Sequence, residues 1–248
     1  MKIHYGISIN DSEEIAGLPP LPAIDLVEVP GDLCSGTDFA LPRQWRQKQL
    51  WIRNSDDIRF FRSLPDAGFG VRQEFFRLYS RRCQAAATVN ACCCSIAPDL
   101  ENALNDPEYA VKLRGAMGVC FGIAEKLRLP LMLELRIPGA AAVNPAGFLR
   151  FKHTLLYPLR TVCAIHPHEP GALEALEKFT GECQFDSDVF RVCFDAASGN
   201  YLSDTLFRKL RQLIRKSGFA APVIIFDPGP GADSNTYAEL NRLAECGK

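Results

Sequence analysis

The chain has 248 residues, 47% of them hydrophobic and 23% charged, with a formal net charge of −1. That much core material with so little net charge excludes a mainly disordered protein, and a pI near 6.4 argues against nonspecific nucleic-acid binding, which needs a basic surplus. The longest charge-free stretch, residues 83–98, carries Gln84, Thr88, Asn90 and Ser95. It is too short and too polar to span a bilayer, and the N-terminus lacks the apolar core of a secretory signal. The sequence therefore reads as a cytoplasmic protein with no membrane partner.

Short apolar runs alternate with stretches of helical period. The first runs cover residues 3–9 and 24–29. The segment 30–66 is the least readable, with a weak strand near residues 50–53 and a short helix near 42–48. A helix carrying Phe75, Leu78, Tyr79, Arg82 and Ala86 precedes a cysteine-rich strand over residues 91–97. Asp106 and Pro107 then open a helix whose stripe of Leu113, Met117, Cys120, Phe121, Ala124 and Leu127 leads to a strand over 131–137. A strand over 161–166 is followed by a helix opened by Pro170, with Leu173, Leu176 and Phe179 facing inward. After a strand over 190–195, Ser203 caps a helix running to Lys216, and Gly218 ends it. The last strand covers 223–227.

Eight strands at roughly 31 residues per unit match the repeat of an eight-fold barrel. The expected fold is α/β, a parallel (β/α)8 TIM barrel with outer helices. No internal repeat, low-complexity tract or linker divides it, so residues 1–248 form one domain.

Ten cysteines in a chain of this length and with no secretory signal point to reduced thiols rather than a disulfide framework. Cys92, Cys93 and Cys94 are consecutive, unlike the spaced ligands of zinc or iron–sulfur sites, and read as small fillers on alternating strand faces. Residues 41–82 hold ten arginines and lysines against four acids. Scattered at helical spacing, they read as a solvated outer face, with a phosphate-bearing ligand or acidic partner as the alternative.

A parallel barrel binds ligands at the carboxyl ends of its strands, so the polar residues ending each run are the candidates. They are Asn10, Glu28, Glu134, His166, His168, Asp195 and Asp227. Glu, His, Asp and Asp on four successive late strands suggest a cage for a divalent ion such as Mg²⁺, Mn²⁺ or Zn²⁺. Other readings stand beside this one: Asp195 as a helix or turn cap, Glu134 ion-paired with Arg136, and the histidines as core or surface residues. No phosphate loop, dinucleotide fingerprint, nucleophile elbow or strand-end Schiff-base lysine is present.

The stretches DLVEVPGDL (residues 25–33), VFRVCFDAASG (189–199) and LRQLIRKSGFAAPVIIFDP (210–228) resemble motifs of the xylose isomerase-like barrels, the sugar isomerase, epimerase and endonuclease IV superfamily. The resemblance implies a divalent metal, Mn, Mg, Zn or Co, held by Glu, Asp, His and Glu, with a carboxylate pair moving a proton through an enediolate. Carried onto this chain, Asp195 matches the family aspartate and Asp227 the closing glutamate. The implied metal set is Glu134, His166, Asp195 and Asp227, with Glu134 and Asp227 as proton carriers and Glu28, Arg136 and His168 as substrate contacts. The chain departs from the pattern where Ser198 replaces a histidine and Asp227 a glutamate. Strand count and motif also disagree on whether Glu134 or His166 takes the first glutamate position.

The leading expectation is a sugar isomerase or epimerase acting on a small polyhydroxylated carbonyl compound. One alternative is a barrel that binds a ligand or partner without metal catalysis. The other is a metal-dependent phosphoesterase of endonuclease IV type, although nucleic acid is disfavoured by charge.

Overall fold

The computed structural model describes residues 2–11, 14–15, 18–34, 39, 41–54, 57–137, 144–157, 159–182, 189–216, 218–219 and 222–248. Eight strands close into a barrel in sequence order: β1 (His4–Ser8), β2 (Leu26–Pro30), β3 (Gln49–Asn54), β4 (Cys93–Ile96), β5 (Leu131–Ile137), β6 (Arg160–Ile165), β7 (Val189–Cys193) and β8 (Val223–Asp227). Every neighbouring pair is parallel, and β1 pairs with β8 from His4 opposite Val223 to Ile7 opposite Phe226. The expected (β/α)8 barrel is the observed one. The weak third strand forms, whereas the short segment before it is a single 3-10 turn, Arg43–Trp45.

The helices begin where the side chains can satisfy their free N–H groups. Asp106 accepts from the backbone of Glu108 at 2.9 Å and Tyr109 at 3.2 Å, ahead of Pro107–Lys126. Asn144 caps Pro145–His153 and Asp233 caps Ser234–Gly247 in the same way. Ser203 accepts from Leu206 at 3.3 Å before Asp204–Lys216, whose Phe207, Leu210 and Ile214 are buried, and Gly218 ends that helix at φ 77°.

Strand alternation sorts side chains between two compartments. Outward residues such as Ile7, Val27, Ile52, Cys94, Leu133 and Phe226 pack under the helices in the main core. Inward residues Leu26, Trp51, Cys93, Met132, Val162, Val189, Val223 and Ile225 form a separate apolar cluster that fills the barrel. The cysteine triplet follows this alternation: Cys93 joins the lumen plug, Cys94 lies outside near Tyr79, and Cys92 is exposed. The described cysteines are all free thiols.

The plug fixes the level at which polar chemistry starts. Leu26 reaches across to β1 because its neighbour there is Gly6, where an added Cβ would lie 2.3 Å from the Leu26 Cδ1. Replacing Gly6 by Ala is expected to cost about 1–3 kcal/mol in chemical denaturation through overpacking. Adding Leu26→Ala should recover part of that loss, a coupling that a double-mutant cycle reads directly.

Candidate functional site

Directly above the apolar plug, most of the next inward residues are polar, and five of them are charged. Arg191 on β7 is 1% exposed and lies between two acids. Its Nε and Nη2 donate to Glu28 on β2 at 3.0 and 2.5 Å, and its Nη1 contacts the Glu134 carboxylate on β5. Ser8 on β1 donates to the same Glu28 at 2.5 Å. Burial works against the guanidinium's charge, but Glu134 and Glu28 outweigh it and hold its pKa well above the ordinary value. Breaking such a buried pair by removing one partner typically costs about 3–5 kcal/mol.

A second pair sits nearer the mouth. Arg53 on β3 donates to Asp227 at the end of β8 and to the side-chain oxygen of Asn10, and Asn10 donates to Asp227 at 3.3 Å. Asn10 is held from behind: Glu14 accepts from its backbone at 3.1 Å, from Gly231 at 3.2 Å and from the Tyr237 hydroxyl at 2.9 Å. This ties the loop after β1 to the loop after β8 and to the last helix. Burial raises the Asp227 pKa, but Arg53, Arg191 and the Asn10 hydrogen bond together bring it below the usual value. Cys193 lies 3.9 Å from Asp227, and burial and that carboxylate push its thiol well up, so it stays protonated.

Access differs among the carboxylates. Glu28 is fully buried, whereas Glu134 is 18% exposed and Asp227 and Arg53 are each 11% exposed. The Ser95 hydroxyl, on the inward side of β4 beside Arg53, and the Arg53 Nε are buried without a hydrogen-bond partner among the described residues. These two groups leave hydrogen-bonding capacity free in the lumen.

The candidates read from the sequence scatter. Glu134, Asp227 and Glu28 come together, although Glu28 is sealed behind Arg191 rather than open to a substrate. His166, just past β6, is half-buried, and its pKa is lowered by burial and by Arg136, against the pull of Glu169, Asp227 and Glu134, so it is neutral at pH 7. Arg136 pairs at 2.8 Å with Glu169 on the rim instead of with Glu134. His168 is exposed. Asp195 is exposed too, accepting from the Ser198 hydroxyl at 2.5 Å and the Ser198 N–H at 3.2 Å, which makes it the cap of its own turn.

Arg53 and Arg191 were not singled out from the sequence, and Ser8 was not either. The signal for the arginines was a lone cation inside an apolar strand, LWIRN and VFRVC. The surrounding basic segment, residues 41–82, otherwise does lie outside the barrel, where Arg62, Arg77 and Arg82 pair with Asp99, Glu74 and Asp32.

The donor set does not fit a divalent metal. Among the described residues no three of His, Cys, Asp and Glu gather to hold one. Glu28 and Glu134 straddle one guanidinium and Asp227 is held by another, so an ion among these carboxylates would face fixed positive charge. At an effective dielectric of about 20, that repulsion is of order 4 kcal/mol per pair of unit charges about 4 Å apart.

No protein-family model matches the chain, and no curated protein does either. Solved structures do. A D-psicose 3-epimerase determined in the presence of D-fructose superposes with a TM-score of 0.65 at 11% identity, over 98% of this chain and 97% of that one. A xylose isomerase domain protein from Planctomyces limnophilus gives 0.59 at 13% identity, over 98% and 95%. A GH18 chitinase from Pseudoalteromonas aurantia gives 0.60 at 9%, over 97% and 99%. These likenesses show the fold, a (β/α)8 barrel, which proteins of different enzyme classes share.

Because its folded pKa is depressed, ionised Asp227 stabilises the protein above its unfolded pKa of about 3.9, and this contribution is lost as pH falls through the lower folded value. The stability gap between wild type and Asp227→Asn should therefore be widest near neutral pH and shrink below about pH 4, as followed by urea unfolding across pH.

Proposed function

We propose that the protein is an isomerase or epimerase of a small polyhydroxylated carbonyl compound, with its chemistry at the carboxyl end of the barrel. The observation that carries this reading is the partial opening of Glu134 and Asp227, with Arg53 paired to Asp227, beside the sealed Glu28–Arg191 pair. Structural likeness to a D-psicose 3-epimerase supports the substrate class.

In this reading Glu134 and Asp227 carry the proton to and from the carbon beside the carbonyl. Arg53 shifts part of its hydrogen bonding from Asp227 and Asn10 to the oxygen on which negative charge develops. The free Ser95 hydroxyl and the neutral His166 imidazole contribute hydrogen bonds to substrate hydroxyls. No step is assigned to a metal on Glu134, His166, Asp195 and Asp227.

A second reading, ligand binding without chemistry, is favoured by one observation: Glu134 and Asp227 are each already paired with a guanidinium, which makes both weaker bases. Incubation with ketoses, aldoses and their phosphates in D2O separates the two. Turnover predicts deuterium at the carbon beside the carbonyl by NMR, with Glu134→Gln and Asp227→Asn each slowing it on the order of 100-fold or more. Saturable sugar binding with no exchange establishes the second reading, and neither binding nor exchange overturns both.

A further inference from the structure

The lumen contains its own cation. Arg191 is fully enclosed, its fork is bidentate on Glu28, and its remaining nitrogen reaches Glu134. Those two carboxylates stand on β2 and β5, three strands apart around the barrel, and Ser8 closes the set from β1. Two acids converging on one point from separate strands, with a hydroxyl beside them, are the oxygen-rich surroundings that a hard cation takes. Here a covalently attached guanidinium is at their centre. Five delocalised N–H donors satisfy two carboxylates at once, which a lysine ammonium cannot do with the same fixed geometry.

We infer that Arg191 has taken over the charge-neutralising place of a metal ion, so that this barrel is metal-independent and its empty-handed form, without Arg191, would be a divalent-cation site. The inference concerns the same lumen as the proposed function but does not rest on a sugar substrate. Its readout is metal binding, and it stands or falls separately from turnover.

Arg53 and Asp227 form their own pair with Asn10, leaving Glu28 and Glu134 dependent on Arg191.

The test uses the full chain purified without chelator and without a histidine tag. Wild type should contain no stoichiometric Mn, Mg, Zn or Co by elemental analysis, and its melting temperature should not change with EDTA or with millimolar Mn²⁺. Arg191→Ala should melt lower and then gain stability on addition of Mn²⁺, with bound metal approaching one per chain, because Glu28 and Glu134 are released. Millimolar guanidinium ion should also raise its melting temperature by refilling the vacated space. Arg191→Lys, which keeps a cation, should remain unresponsive to Mn²⁺. Stoichiometric stabilising metal in wild type would overturn the inference. A folded Arg191→Ala that ignores Mn²⁺ would do the same. Where Arg191→Ala folds only with Mn²⁺ or guanidinium present, the inference is supported, and where it does not fold at all, the wild-type metal content and melting response decide alone.

Discussion

The interaction on which the rest of the site depends is the Arg191 bridge between Glu28 and Glu134. Three strands that are far apart in sequence, β2, β5 and β7, are cross-linked through one side chain at the level where the lumen changes from apolar to polar. Below it, the plug around Trp51, Met132 and Val189 excludes water. The low dielectric this creates strengthens the pairs above and makes each unpaired charge costly. The polar layer is consequently all or nothing: its members are tolerated only because each carboxylate has a guanidinium. The same argument explains why Glu28 is unsuited to bind substrate, since its capacity is taken by Arg191 and Ser8.

Much of this architecture is visible in the sequence because it is local. The apolar runs of β5 and β8 have bounds that match the structure residue for residue, Leu131–Ile137 and Val223–Asp227. The Asp106–Pro107 start and the Gly218 stop are signals of backbone chemistry confined to a few residues. Run-end reading also selected Glu134 and Asp227, and both lie partly exposed among the lumen arginines. What was hidden was everything set by barrel closure. Arg191 and Glu28 are 163 residues apart, and Arg53 and Asp227 are 174 apart. An arginine within VFRVC gives no sign of whether it faces helices or lumen until β7 has a register with its neighbours.

Asp195 takes the capping alternative for a different reason. Its motif, FDAASG, resembles a metal-binding turn in composition, yet a short acid followed three residues later by a serine is also the pattern of a self-capped turn. With serine at position 198, the local hydrogen bonds win because they cost little chain entropy. Arg136 likewise alternates with Glu134 on the inward side of β5, but β5 runs to Ile137, far enough for Arg136 to clear the lumen and meet Glu169 on the rim. In both cases position along the strand axis, rather than face, decides the outcome, and position is what an isolated run of sequence conveys least.

The layering also separates two jobs that carboxylates are often asked to do together. A carboxylate that anchors a fold should be sealed and fully hydrogen-bonded, while one that moves protons needs access and a protonation state that can change. Glu28 meets the first description, whereas Glu134 meets part of each: one oxygen rests against Arg191, yet the side chain reaches the open part of the lumen. That dual position ties chemistry to stability. Any substrate oxyanion that draws a guanidinium away from Glu134 or Asp227 leaves behind a more basic carboxylate at the moment a base is needed. In the proposed reaction, ligand entry and proton abstraction would therefore be coupled through the arginines, with Arg53 and Arg191 supplying the compensating charge.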